Sequence, residues 1–189
     1  FRVTSEDGDT LHYHYGRDFV ESFRSGSGKA AGEGVFMGYG IHSPENGYSD
    51  FDEVDLNGRI VFCFLYPPGD KNRERIREMA FSIPYYRRIE MAASRGAAGF
   101  VHINPEEGSS LTPLNDRYGN RTPSQRIYQM DIPVIRISYS TFRKLLRESN
   151  LSLGELEQGL KSSQTSQAFV IPGRRFHLEC HLNYIYGWT

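Results

Sequence analysis

Residues 34–65, GVFMGYGIHSPENGYSDFDEVDLNGRIVFCFL, constrain the fold more than any other part of the chain. Two apolar runs, Val35-Phe36-Met37 and Ile60-Val61-Phe62-Cys63-Phe64-Leu65, flank an acidic, aromatic, turn-rich segment. Both runs are too short for helices and rich in β-branched and aromatic residues, the pattern of strands buried on both faces. Asn57-Gly58 is a tight-turn dipeptide that starts the second strand. Gly38 and Gly40 around Tyr39 predict a bulge or a close backbone approach, because only glycine leaves room there. No catalytic signature lies inside the segment.

The rest of the chain alternates helical and strand patterns. Residues 73–95 read as a helical region broken by Pro84 near Ile83. Beyond the break, Tyr85, Ile89, Ala92 and Ala93 recur at helical spacing, with Gly96 as the stop. Ser140 is the expected cap of a short helix carrying Phe142, Leu145 and Leu146, and Ser152-Leu153-Gly154-Glu155 is a capping box for a second. Residues 161–167 read as a connector. Residues 169–171 and 176–182 are expected to form a hairpin across Pro172-Gly173. Residues 10–15 are a possible short strand. Residues 106–131 are long, polar and without a period, the mark of a mobile loop, a kind more often functional or disordered than structural.

These elements carry a resemblance. The run VFMGYGIHSPENGYSDFDEVDLNGRIV resembles the "vFvGYGi, Pro, Tyr-x-Asp, Asp-hydrophobic-x-Gly-Lys-Ile-Val" segment of protease-associated (PA) domains. The variety it resembles is the one inserted in, or placed before, the catalytic domain of secreted di-zinc aminopeptidases of the leucine aminopeptidase and aminopeptidase Y type. In the family's order, AASRGAAGFV at 92–101 is similar to its "A-x-x-x-GA-x-G-hydrophobic" element, and IPVIRIS at 132–138 to its "IPVI-x-IS" strand. Residues 153–160 and 169–172 are similar to the helix and hairpin that follow. The resemblance implies a mixed α/β fold of the swivelling β/β/α kind, a mixed sheet or open barrel flanked by short helices. It implies an arm at 1–31, a PA domain at 32–182, and at 183–189 the start of a linker into a catalytic domain absent from this chain. The implied function is non-catalytic: modulating substrate access or protein contacts for a neighbouring peptidase domain of the same polypeptide, with a peptide or protein as substrate. Zinc is expected in that catalytic domain and no cofactor in this chain. The implied location is extracellular, periplasmic or at the cell surface. A receptor-type PA module that binds peptide ligands without a peptidase is the alternative.

Composition narrows the classes further. With 189 residues the chain can bury a core of its own, and a net charge of −1 offers no basic field for phosphate backbones, so nucleic acid is not an expected partner. No apolar run approaches the roughly 20 residues of a spanning helix. The first residue, Phe1, is what a processed or excised fragment presents. Cys63 and Cys180 sit in apolar patterns and read as buried free thiols, with a bridge between them left open.

Candidate sites follow from residue type. His177, Glu179 and His181 alternate with Phe176, Leu178, Cys180 and Leu182, so on a strand the three polar groups share one face. At about 3.3 Å per residue His177 and His181 stand roughly 13 Å apart, too far for one zinc bonded at about 2.1 Å, so a metal there needs a ligand from elsewhere. His12 and His14, with Asp18 nearby, present the same geometry. His42 and His102 are lone histidines, expected to be satisfied by backbone groups. Asp50, Asp52, Glu53 and Asp55 suggest either a hard-cation site or a solvated turn whose carboxylates cap amides, while Phe51 and Val54 pack inward. As a binding surface the reading places Asp50, Asp52, Glu53 and Asp55 beside Tyr118, Arg121 and Tyr128 of the long loop. Tyrosines in polar segments, among them Tyr13, Tyr15, Tyr85 and Tyr86, favour a docking interface. Two sequons begin at Asn120 and Asn150.

Overall fold

The apolar run that begins at Ile60 folds as a strand, Ile60–Phe64, with all five residues buried. It lies near the middle of a computed structural model that describes residues 1–66, 74–104, 111–113, 130–162, 166 and 168–182. Strands are β1 (Arg2–Ser5), β2 (Thr10–His12), β3 (Phe19–Glu21), β4 (Gly28–Phe36), β5 (His42–Ser43), β6 (Tyr48–Ser49), β7 (Ile60–Phe64), β8 (Gly99–Ile103), β9 (Val134–Ile137) and β10 (Phe169–Cys180). Helices are α1 (Glu74–Ser82), α2 (Tyr85–Ser94), α3 (Tyr139–Glu148) and α4 (Leu153–Ser162).

Among the described residues, one eight-stranded sheet runs in the order β2-β1-β10-β4-β7-β8-β9-β3, and β5 and β6 form a separate small ribbon. The steps β4-β7, β7-β8 and β8-β9 are parallel. The remaining steps are antiparallel. The sheet curls until Phe1, beside one edge, stacks on Tyr13 at 5.1 Å and meets Phe19 on the other edge strand at 6.0 Å. It does not close. This is the mixed sheet flanked by short helices that the resemblance implies.

Two apolar layers sandwich the parallel strands. Inside the curl, Phe36, Phe62, Phe64, Phe142 and Phe176 pack with Leu145, Leu146 and Leu160 from α3 and α4. Outside it, Val61, Cys63, Phe100 and Val134 pack against Ile89 and Ala92 of α2. Continuous apolar runs are what a strand covered on both faces requires.

Several local expectations hold. Pro84 separates α1 from α2, and Gly96 follows α2 at positive φ. Gly40 is a close approach: a Cβ there would come within 2.9 Å of the Cys63 sulfur, at a φ of +62°. Cys63 and Cys180 are both free and buried, in separate apolar layers.

Other expectations are corrected. In place of a hairpin, 169–180 is one strand paired with β4 on both sides of a register shift between Ile171 and Arg175. Pro172 lies exposed in that irregularity, where its missing N–H takes nothing from the ladder, and Gly173 supplies the left-handed φ of +68°. The cap of α3 is Ser138, not Ser140, because the extended Ser138 accepts the N–H of Thr141 at 3.0 Å. The strand expected over 10–15 ends at His12, after which Asp18 pulls the chain into a turn by accepting the His14 N–H at 2.8 Å. Residues 1–31, read as an arm, supply β1, β2, β3 and the start of β4 to the same sheet.

Candidate functional site

The four candidate acids Asp50, Asp52, Glu53 and Asp55, between β4 and β7, separate into two environments. Asp50 is fully buried. Its Oδ2 accepts the Ile41 N–H at 2.9 Å and its Oδ1 accepts the Tyr48 hydroxyl at 3.1 Å. Burial pushes its pKa up to about 6, against the pull of the Ile41, Ser166 and Tyr48 hydrogen bonds and of Arg88. Asp52, Glu53 and Asp55 stay exposed. Asp52 stands 3.9 Å from Arg95, and Asp55 accepts the Asn57 N–H at 3.0 Å to hold the turn into β7. The expected capping role is therefore real for Asp50 and Asp55, but Asp50 performs it inside the protein, away from any docking surface.

Arg88 of α2 lies beside this carboxylate, only 3% exposed. Its guanidinium donates to the carbonyls of Phe64 at 3.4 Å, Ala80 at 2.6 Å and Ile83 at 3.4 Å, tying α1, α2 and β7 together. Burial pushes the Cys63 thiol up to about 12, with Arg88 pulling it down only in part. A thiol so placed is no nucleophile. His102, opposite Cys63 in the ladder, has both ring nitrogens without a hydrogen-bond partner among the described residues. Desolvation, with Arg88 and Arg136 nearby, pulls its pKa down to about 3, so it is a neutral ring packed on Phe100 and Tyr85. The expectation of backbone satisfaction fails for His102, because the strand amides around it are occupied by the parallel ladder. His42 is satisfied by a side chain instead, the Ser49 hydroxyl at 2.9 Å.

The alternation of β10 holds: Phe176, Leu178 and Cys180 face the core while His177 and Glu179 face outward. Glu179 Oε1 receives Lys29 Nζ at 2.9 Å and lies 2.8 Å from His181 Nε2. Those contacts, His181 first, hold the Glu179 carboxyl down at about 2. His177 turns to the Thr4 hydroxyl at 3.2 Å instead. Among the described residues no group of three or more His, Cys, Asp or Glu stands where it could hold a metal ion. His12 sits opposite Arg2 on β2, apart from His14 in the following turn.

Tyr118, Arg121, Tyr128 and most of the 106–131 loop lie outside the described residues, as does Asn120, whereas Asn150 is exposed at a φ of +57°. Tyr13, expected at an interface, is 8% exposed and donates to Glu148 at 3.3 Å. Tyr15 is 55% exposed. Arg88 escaped the sequence reading although its position was a signal: with Tyr85, Ile89 and Ala92 it falls on the apolar stripe of α2.

No protein-family model matches the chain, and no curated protein matches it. Solved structures similar to it include an aminopeptidase from Aneurinibacillus sp. strain AM-1, at 15% identity and a TM-score of 0.42, covering 94% of this chain and 32% of that one. Another is BSAP, a zinc aminopeptidase from Bacillus subtilis, at 16% identity and a TM-score of 0.40, covering 93% of this chain and 31% of that one. The chain thus spans about a third of the length of either enzyme.

Proposed function

We propose that the chain is a protease-associated domain of a secreted zinc aminopeptidase, itself non-catalytic, which sits beside the peptidase domain and governs how peptide substrates or partner proteins reach it. The observation that carries this reading is where the family-like motifs fall. GYG makes the turn out of β4, Asn57-Gly58 leads into β7, Gly96 to Gly99 leads into β8, and IPVI enters β9. Four resembling segments thus build the consecutive parallel strands of one sheet. The zinc and its ligands would belong to the peptidase domain, and nothing in the chemistry described above requires them here. Cys63 and His102 are buried in neutral forms, which suits packing and not proton transfer.

The test uses the longer gene product that carries this segment. Deleting residues 1–182 should change kcat/KM for peptides of several residues more than for a single aminoacyl chromogenic substrate, since the proposed role is access. The isolated chain with added zinc should hydrolyse neither. Chelator-sensitive hydrolysis by the isolated chain, or a gene product with no peptidase activity, would overturn the reading, the second result in favour of a receptor-type module.

A further inference from the structure

Among the described residues, no helix packs against one part of the sheet's outer face. The described helices bury their apolar residues inside the curl or against the parallel strands, which leaves the outer face of β2, β1, β10 and the first half of β4 uncovered. Strand register sorts the outward residues into rows. His12, Arg2, His177 and Ala31 form one, and Thr10, Thr4, Arg175 and Glu33 the next. Neighbours within a row are about 5 Å apart and successive rows are about 6.6 Å apart.

The charges on this face do not balance. Glu179 is engaged by Lys29 and His181, and Glu33 reaches Arg59 at 3.6 Å. Among the described residues the Arg2 side chain makes no hydrogen bond or ion pair, and the Arg175 guanidinium touches only the Ala31 carbonyl at 3.5 Å. The positive surroundings register on His177, whose pKa is lowered by burial, then by Arg2 and Arg175. A groove opens here, lined by Arg2, His12, Lys29, Ala31, His177 and Glu179, and Ala31 leaves one end of the first row shallow.

We propose that this open sheet face docks an extended acidic polypeptide segment whose carboxylates meet Arg2 and Arg175, with His12 and His177 donating beside them. An extended chain presents side chains on one face every 6.6 to 6.8 Å or so, the separation of Arg175 and His177 along β10. A nucleic acid fits less well, because a protein of net charge −1 supplies no wider field for a phosphate backbone. Contacts of this exposed kind make binding weak and salt-sensitive, each pair contributing up to about fivefold in Kd. The inference stands without the peptidase reading, since it needs only a partner that carries carboxylates.

Titration of the isotope-labelled full chain by NMR tests it, with a capped seven-residue peptide alternating threonine and glutamate, and its lysine counterpart as control. The acidic peptide alone should shift the amides of Arg2, Thr4, Ala31, Arg175 and His177. Its Kd should fall as pH drops toward 5.5 and His177, held below the ordinary histidine value by burial, Arg2 and Arg175, takes up a proton among Arg2, His12, Lys29, Glu33, Arg175, Glu179 and His181. The double substitution Arg2→Gln with Arg175→Gln should weaken binding by about tenfold, while Glu179→Gln, which frees Lys29, should tighten it. Shifts confined to another surface, equal binding of the lysine peptide, unchanged affinity in the double variant, or a single-stranded oligonucleotide of equal charge binding more tightly would each overturn the proposal.

Discussion

The parallel and antiparallel halves of the sheet are built from one chain under opposite rules. In β7 and β8 every residue is buried, whereas β10 alternates between core and solvent. The consequence reaches past packing into charge. Around the parallel half, polar side chains are stripped of water and pushed toward neutral forms, with Asp50 at about 6 and His102 at about 3. On the antiparallel half the hydrogen bonds from His181 and then Lys29 hold Glu179 at about 2, and it stays ionised. A side chain in the first region can specify the fold, and one in the second can meet a partner.

The contrast breaks most easily at the aromatic core. Phe62 is fully buried, 4.7 Å from the Phe176 ring, and Phe62→Ala should cost about 3–5 kcal/mol by urea unfolding. A cost no larger than that of Arg175→Ala would refute the division. Asp50 comes next. Its folded pKa of about 6 lies above the ordinary 3.8, so the native state binds the proton more tightly. Stability from this group is therefore fully present below about pH 4 and is lost as pH rises through about 6, on the order of 3 kcal/mol in all. Asp50→Asn should flatten that slope in melts between pH 4 and 7, and an unchanged slope would place the carboxylate in water. Ser138→Ala should cost about 1 kcal/mol and Ser140→Ala less than half as much, sharpening which serine caps α3. On the open face Arg175→Ala should change stability by no more than about 0.5 kcal/mol.

Legibility divided along the same line. Ile60 to Phe64 announced a doubly buried strand because burial on both faces leaves only apolar residues to choose from. Phe176, Leu178 and Cys180 announced a half-covered one by alternation. The Pro172-Gly173 dipeptide carries the same letters whether the chain reverses or bulges, and only the length of β4 beside it decides for a bulge. Nor could spacing single out Asp50 from Asp52, Glu53 and Asp55, since its partners are Ile41, just before the small ribbon, and Tyr48 within it. The open face was half visible: Arg175, His177 and Glu179 of β10 share a side in any strand, but Arg2 joins them only through a partner 175 positions away.

The pairing of β1 with β10 also sets how this protein answers a pull. Arg2 lies opposite His177 and Ser5 opposite Arg174, so residue 1 and residue 182 leave from the same end of two antiparallel neighbours. A load applied there acts across the strands and parts their hydrogen bonds singly, like a zipper, instead of shearing the row together. Under tension β1 and β2 should peel away at low force, while β7, β8 and β9 are still held together as a folded remnant.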